Sequence, residues 1–205
     1  MGDVRLCVFG DSFTAAVGDP GGAGWVGPVL VAARQAGHAL TVYNLGVRRD
    51  TSLDVARRWQ AEARCRLKDG DGYGVVFAFG ANDVDLYRDC PRVPLPRSLL
   101  VLGDVLDQAQ AASWPALVVG PPPGLDGGAS GRVAELAAGM AAVCLGRTVP
   151  FIDLTAGLAG DPVWERELAA GDGFHPSAAG YRRMAGLVEP AMLSWLSDLS
   201  ARWSR

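Results

Sequence analysis

The sequence predicts an α/β fold in which a five-stranded parallel sheet is covered by helices on both faces. Two observations carry the prediction. Five short apolar runs of strand length recur along the chain, each followed by glycine, proline or polar turn residues, and amphipathic helical patterns fill the intervals between them. Strict alternation of strand and helix implies a crossover at every step, and crossovers yield parallel strands buried beneath their helices.

The first strand is the run Val4 to Phe9, and a helix is expected over Val26 to Ala36. Gly37 closes that helix, which makes His38 a structural residue at a helix C-terminus. The second strand is Ala39 to Leu45, followed by a helix over Thr51 to Cys65, where Thr51 is positioned to cap and Asp54 stands three residues on as a shortened capping-box partner. The third strand, Gly74 to Phe79, leads to a helix over Arg97 to Ala112, whose Leu99, Leu102, Val105, Leu106 and Ala109 repeat at three and four and form a core stripe. The fourth strand, Ala116 to Val119, is followed by a helix over Ser130 to Leu145, with Val133, Leu136, Ala137, Met140, Val143 and Cys144 on its buried face. Val149 to Leu154 is the fifth strand, and Pro176 to Leu196 the closing helix, with Ser177 as its expected cap. Val84 to Pro96 and Pro121 to Ala129 are rich in proline or charge and are expected to be loops at strand C-termini.

At 205 residues, without repeats or linkers, the chain is expected to form one domain over residues 1–205. The net charge is -3, and its 19 basic residues are scattered, with Arg48-Arg49, Arg57-Arg58 and Arg182-Arg183 in separate regions, so no nucleic-acid partner is expected. Cys7, Cys65, Cys90 and Cys144 share no C-x-x-C spacing and are expected to be free thiols. No apolar run approaches the roughly 18 residues of a membrane span, and the first strand begins too early for a leader, so a soluble cytoplasmic protein without stable membrane association is expected.

The chemistry gathers at strand ends. Ser12, in Gly10-Asp11-Ser12-Phe13-Thr14, sits at the C-terminal lip of the first strand, where α/β sheets hold their ligands. A serine becomes nucleophilic when a base takes its proton, the base needs an orienting acid, and the anionic intermediate needs hydrogen-bond donors. His175, in Asp172-Gly173-Phe174-His175-Pro176 after the fifth strand, is the candidate base, and a tight turn brings the Asp172 carboxylate to its Nδ1. Asn44-Leu45-Gly46 closes the second strand and Gly80-Ala81-Asn82-Asp83 the third, so the Gly46 N–H and the Asn82 amide are candidate oxyanion donors. Ser12, Gly46, Asn82 and His175 come from four strand ends, and parallel strands deliver all four to one crevice.

These four blocks resemble those of the SGNH hydrolases, also called the GDSL esterase and lipase family, over residues 10 to 176. The resemblance implies a flavodoxin-like, three-layer α/β/α sandwich. It further implies Ser12 as nucleophile, His175 as base and Asp172 as its orienting acid, with the Ser12 N–H, the Gly46 N–H and the Asn82 side chain as oxyanion donors. Phe13 stands where the family's name has leucine. Asp11, Phe13, Asp83 and Phe174 adjoin Ser12, Asn82 and His175 within these blocks and are expected to line the substrate pocket. The Asp19 to Trp25 turn and the Gly120 to Pro123 run resemble a bacterial cytosolic branch of the family.

The expected partner is a small-molecule acyl ester or thioester, with O-deacetylation or acyl transfer on the same triad as alternatives, and no cofactor or metal is expected. A non-catalytic binding module is the rival reading, but Asp11 and Asp83 at the crevice would repel a phosphate. Gly22-x-Gly24-x-x-Gly27 fits a dinucleotide fingerprint but starts about a dozen residues past the first strand, so a loop is expected. Thr14 stands where the nucleophile elbow of α/β-hydrolases needs glycine, which sets that class aside. The histidines and cysteines lack metal-ligand spacing.

Overall fold

The structure, a computed structural model, describes residues 2–203. The main sheet contains β1 (Val4–Gly10), β2 (Leu40–Gly46), β3 (Gly72–Ala78), β6 (Ala116–Val119) and β7 (Phe151–Ile152) in the order β2-β1-β3-β6-β7, and every neighbouring pair is parallel. This is the flavodoxin-like order, in which the direction of strand addition reverses between β1 and β3 and opens a crevice at their C-terminal ends.

Alternation along the strands divides the core in two. Val4, Leu6 and Val8 of β1, with Val76, Leu117 and Val119, pack beneath α1 (Val26–Gln35) and α7 (Ala178–Trp203). Cys7, Phe9, Val75, Phe77 and Val118 point the other way, against α2 (Ser52–Arg66), α3 (Leu95–Ala111) and α4 (Gly127–Leu145). Cys7 and Cys144 are buried and Cys65 and Cys90 exposed, all four free. Among the described residues no helix is long and apolar enough to cross a membrane.

Local chemistry explains the boundaries. The Thr51–Asp54 capping box starts α2, with the Thr51 hydroxyl accepting from the Asp54 N–H at 3.4 Å and Asp54 Oδ2 accepting from the Thr51 N–H at 3.1 Å. His38 closes α1, its N–H donating to the Ala33 carbonyl while Gly37 takes φ +92°. The Ser177 hydroxyl, expected to cap α7, donates instead to the Glu167 carboxylate. The glycine-rich loop before α1 wraps a carboxylate of its own chain: Asp19 accepts from the N–H groups of Gly21, Ala23 and Gly24 at 2.8–3.1 Å, so the backbone donors a phosphate would need are already taken.

Three segments differ from the sequence expectation. The stretch Val84 to Pro96 holds a small hairpin, β4 (Leu86–Tyr87) and β5 (Cys90–Pro91), because Arg88 and Asp89 both adopt positive φ, as a tight primed turn requires. The last strand of the sheet is only Phe151–Ile152, since Asp153 accepts from the Ala156 N–H and begins α5 (Leu154–Leu158). A further helix, α6 (Pro162–Ala170), follows, with the Asp161 carboxylate accepting from the Val163 and Trp164 N–H groups at 2.9 Å and Pro162 at the first helical position.

Candidate active site

Ser12 lies just past β1 in a one-turn reversal, in which the Asp11 carbonyl accepts from the Ala15 N–H and the Ser12 carbonyl from the Val17 N–H, both at 3.0 Å. Gly10 is required for this reversal, because a Cβ there would stand 2.1 Å from Thr14 Oγ1 and 2.4 Å from the Ala78 carbonyl. The turn is pinned from two sides: Asn44 Nδ2 donates to the Thr14 carbonyl and the Tyr181 hydroxyl of α7 to the Val17 carbonyl, each at 2.7 Å.

His175 comes from the loop between α6 and α7. Its Nε2 lies 2.8 Å from Ser12 Oγ and its Nδ1 2.7 Å from Asp172 Oδ2. Asp172 Oδ1 accepts from the backbone N–H groups of Phe174 and His175 at 3.0 and 2.7 Å. Desolvation pushes the Asp172 pKa up, but the hydrogen bonds from the His175 backbone, its ring and the Phe174 N–H outweigh it and hold the carboxyl at about 2. An ionised carboxylate only accepts, so Nδ1 carries the ring proton and Nε2 presents its lone pair to the serine hydroxyl. The arrangement can therefore remove a proton from Ser12 and hold the resulting imidazolium beside a negative charge.

Asn82 follows β3 across the switch point. Its Nδ2 donates to the Asp50 carbonyl at 3.0 Å and to Asp11 Oδ2 at 3.4 Å. Gly46 also reaches the crevice, and only a glycine fits, since a Cβ would stand 2.3 Å from the Ala15 nitrogen. Its N–H is occupied by Asn44 Oδ1 at 3.1 Å, so this donor becomes free for a ligand only if the Asn44 side chain turns.

The model of the GDSL-like lipase/acylhydrolase family matches residues 8–183. The chain belongs to this family. Among solved structures, it is similar to a lipase/acylhydrolase from Enterococcus faecalis, with 25% identity and a TM-score of 0.76 over 93% of this chain and 95% of that one. A catalytic mutant of an acetylxylan esterase from Geobacillus stearothermophilus shares the fold at 19% identity, with a TM-score of 0.75 over 90% and 91% of the two chains. TesA shares it at 24% identity, with a TM-score of 0.75 over 92% and 97%. No curated protein matches the sequence. The chain is thus a GDSL-like hydrolase, and its fold matches the SGNH-type three-layer arrangement.

Of the four residues expected to line a substrate pocket in this GDSL-like chain, three are buried. Asp11, Phe13 and Asp83 are 2%, 4% and 0% exposed, and only Phe174 of the four is partly open to solvent. Asp83 stands at the N-terminus of α2, where its Oδ1 accepts from the Ser52 N–H at 2.7 Å, and burial pushes its pKa up. Phe13 packs against the loop that carries His175, with ring centroids 5.3 Å from Phe174, 5.4 Å from His175 and 6.4 Å from Trp164.

Sequence reasoning missed several supporting residues. Asp50 supplies the carbonyl that holds Asn82, and Arg58 holds Asp50 at 2.8 Å while donating to the Gly10 and Leu45 carbonyls, which ties the ends of β1 and β2 together. Trp164 donates to the Pro123 carbonyl and Thr155 to that of Pro121, so α5 and α6 anchor the proline loop. The Asp161-Pro162 pair was a legible helix start for α6, whereas the Arg58 network carries no local signal. Beside His175 a cavity of about 440 Å³ is lined by Gly18, Glu167, Ala170, Gly171, Asp172 and Ser177.

Proposed function

We propose that this protein is a serine hydrolase that cleaves small carboxylic esters of polar alcohols through an acyl-enzyme on Ser12. The observation that supports it is the continuous hydrogen-bonded line from Ser12 Oγ through His175 to Asp172, with both contacts at 2.7–2.8 Å. Ser12 Oγ attacks the acyl carbonyl as its proton passes to His175 Nε2. The tetrahedral anion rests on the Ser12 N–H and the Asn82 amide, and on the Gly46 N–H once Asn44 releases it. The imidazolium then protonates the departing alcohol. Water, deprotonated by the same imidazole, repeats the attack on the acyl-enzyme and restores the serine. Because an imidazole activates the nucleophile, the proposed reaction is metal-independent.

Two features support a short acyl group and a polar alcohol. Ser12 is only 2% exposed, which favours a short acyl group over a bulky chain at its hydroxyl. The larger cavity lies on the His175 side and carries Glu167, Asp172 and Ser177, groups suited to hydroxyls. The structurally similar acetylxylan esterase acts, by its name, on an acetylated sugar polymer, which is compatible with this reading.

The test is a panel of p-nitrophenyl esters from acetate to palmitate together with acetylated sugars and acyl-CoA thioesters, run on the wild type and on Ser12→Ala. Hydrolysis falling with acyl length, and lost by a factor of about 10⁴ or more in Ser12→Ala, is expected. Near-normal turnover by a folded Ser12→Ala protein overturns the assignment.

A further inference from the structure

Asp11 is the ionisable group next to the nucleophile that the reaction above leaves without a task. It is 2% exposed, and its two oxygens reach separate parts of the site. Oδ1 accepts from the Phe13 N–H at 3.0 Å, within the reversal that presents Ser12, and Oδ2 accepts from Asn82 Nδ2 at 3.4 Å, across the β1/β3 switch point. Among the described residues, Asp11 alone has a side chain hydrogen-bonded to both the nucleophile turn and the Asn82 amide.

We propose that Asp11 is a positioning residue that acts through Asn82, setting the direction of its amide N–H at the oxyanion site. The inference rests on the acyl-enzyme reading. An amide nitrogen has two protons. One is held tightly by the Asp50 carbonyl at 3.0 Å, which fixes the side chain's plane, and the other points along the longer 3.4 Å line to Asp11. A donor held loosely by a buried acceptor is restrained without being consumed, and it can shift to a stronger acceptor when an oxyanion forms; catalytic hydrogen bonds are commonly long before substrate binds. The dryness of the site adds weight to the contact. Burial first, and then the charges of Asp83 and Asp50, raise the Asp11 pKa to about 7, against the lowering effect of the Phe13 N–H. A carboxyl kept in so unfavourable a place has a local partner to hold.

Without Asp11 the Asn82 amide keeps one anchor and rotates about it, so the loss falls on the transition state. The experiment is a double-mutant cycle on Asp11→Ala and Asn82→Ala with kcat and KM read separately, plus Asp11→Asn, whose amide can accept from Phe13 but presents N–H groups to Asn82. Asn82→Ala is expected to lower kcat on the order of a hundredfold. Asp11→Ala and Asp11→Asn are each expected to lower it about tenfold with KM unchanged, and the double variant to lose no more than Asn82→Ala alone. Asp11→Asn keeps the turn's hydrogen bond and is expected to fold, so it carries the test if Asp11→Ala does not. A kcat within twofold of wild type in Asp11→Asn, or losses that multiply in the double variant, overturns the proposal. Failure of the acyl-enzyme reading is seen separately, as retained turnover in Ser12→Ala.

Discussion

His175 Nε2 stands 2.8 Å from Ser12 Oγ although the two residues are 163 positions apart in the chain. Neither turn reaches the other alone. The loop after Ser12 comes against the histidine loop at Gly18, where φ is +92° and a Cβ would lie 2.5 Å from the Pro176 carbonyl. Tyr181, one turn into α7, grips the Val17 carbonyl from behind. The two side chains meet where their loops touch at a glycine.

Gly18→Val is therefore expected to separate the pair. A branched side chain suffers both the left-handed backbone and the clash with Pro176. Covalent labelling by a fluorophosphonate probe should slow at least about tenfold, with a lower melting temperature. Labelling at the wild-type rate would mean that this contact does not set the Ser12–His175 distance.

Asp172→Asn leaves the shape of the loop but removes the charge. An amide can offer an N–H to Nδ1, which favours the tautomer with the proton on Nε2, the wrong one for accepting from Ser12. Ester hydrolysis should fall on the order of 10³-fold while the far-UV circular dichroism spectrum stays unchanged. Equal activity in the two proteins would remove Asp172 from the relay.

Two carboxyls give stability opposite pH dependences in separate windows. Asp172 is lowered from 3.8 to about 2 in the folded chain, so its contribution is present above pH 3.8 and lost as pH falls towards 2. Asp11 is raised from 3.8 to about 7, so the folded state is favoured while Asp11 holds its proton, and stability declines as pH rises from 3.8 through 7. Urea unfolding followed across this range should show the second decline weakened in Asp11→Asn and the acid-side loss weakened in Asp172→Asn. An unaltered profile in either variant would contradict the corresponding assignment.

Asp161→Ala tests the helix that carries the outer wall of the site. The carboxylate caps α6 through Val163 and Trp164 and pairs with Arg183 of α7 at 2.7 Å. Its loss should lower stability by about 1–2 kcal/mol. Trp164 lies under Phe13, so KM is expected to rise as the wall loosens. A variant as stable as the wild type would show that Pro162 alone starts the helix.

Much of this was legible in the chain because the relevant signals are local. Apolar runs ending on Gly10, Gly46 and Gly80 marked three strand ends, and Thr51 with Asp54 marked a helix start, since each is a relation among residues a few positions apart. The short helices α5 and α6 escaped because five and nine residues carry too little periodicity to stand out beside the apolar run before them.

By itself, the sequence determined the alternation of strands and helices, and with it that Ser12, Gly46, Asn82 and His175 lie at the same edge of a parallel sheet. Only the tertiary structure decided what each atom there is bonded to. Asp11 and Asp83 are buried there and accept from the Phe13 and Ser52 N–H groups, and the Gly46 N–H is held by Asn44. The physical reason is range. Apolar patterning acts through neighbours along the chain and places whole elements, whereas a hydrogen bond is settled within about 3 Å between groups from different elements, where packing has the last word.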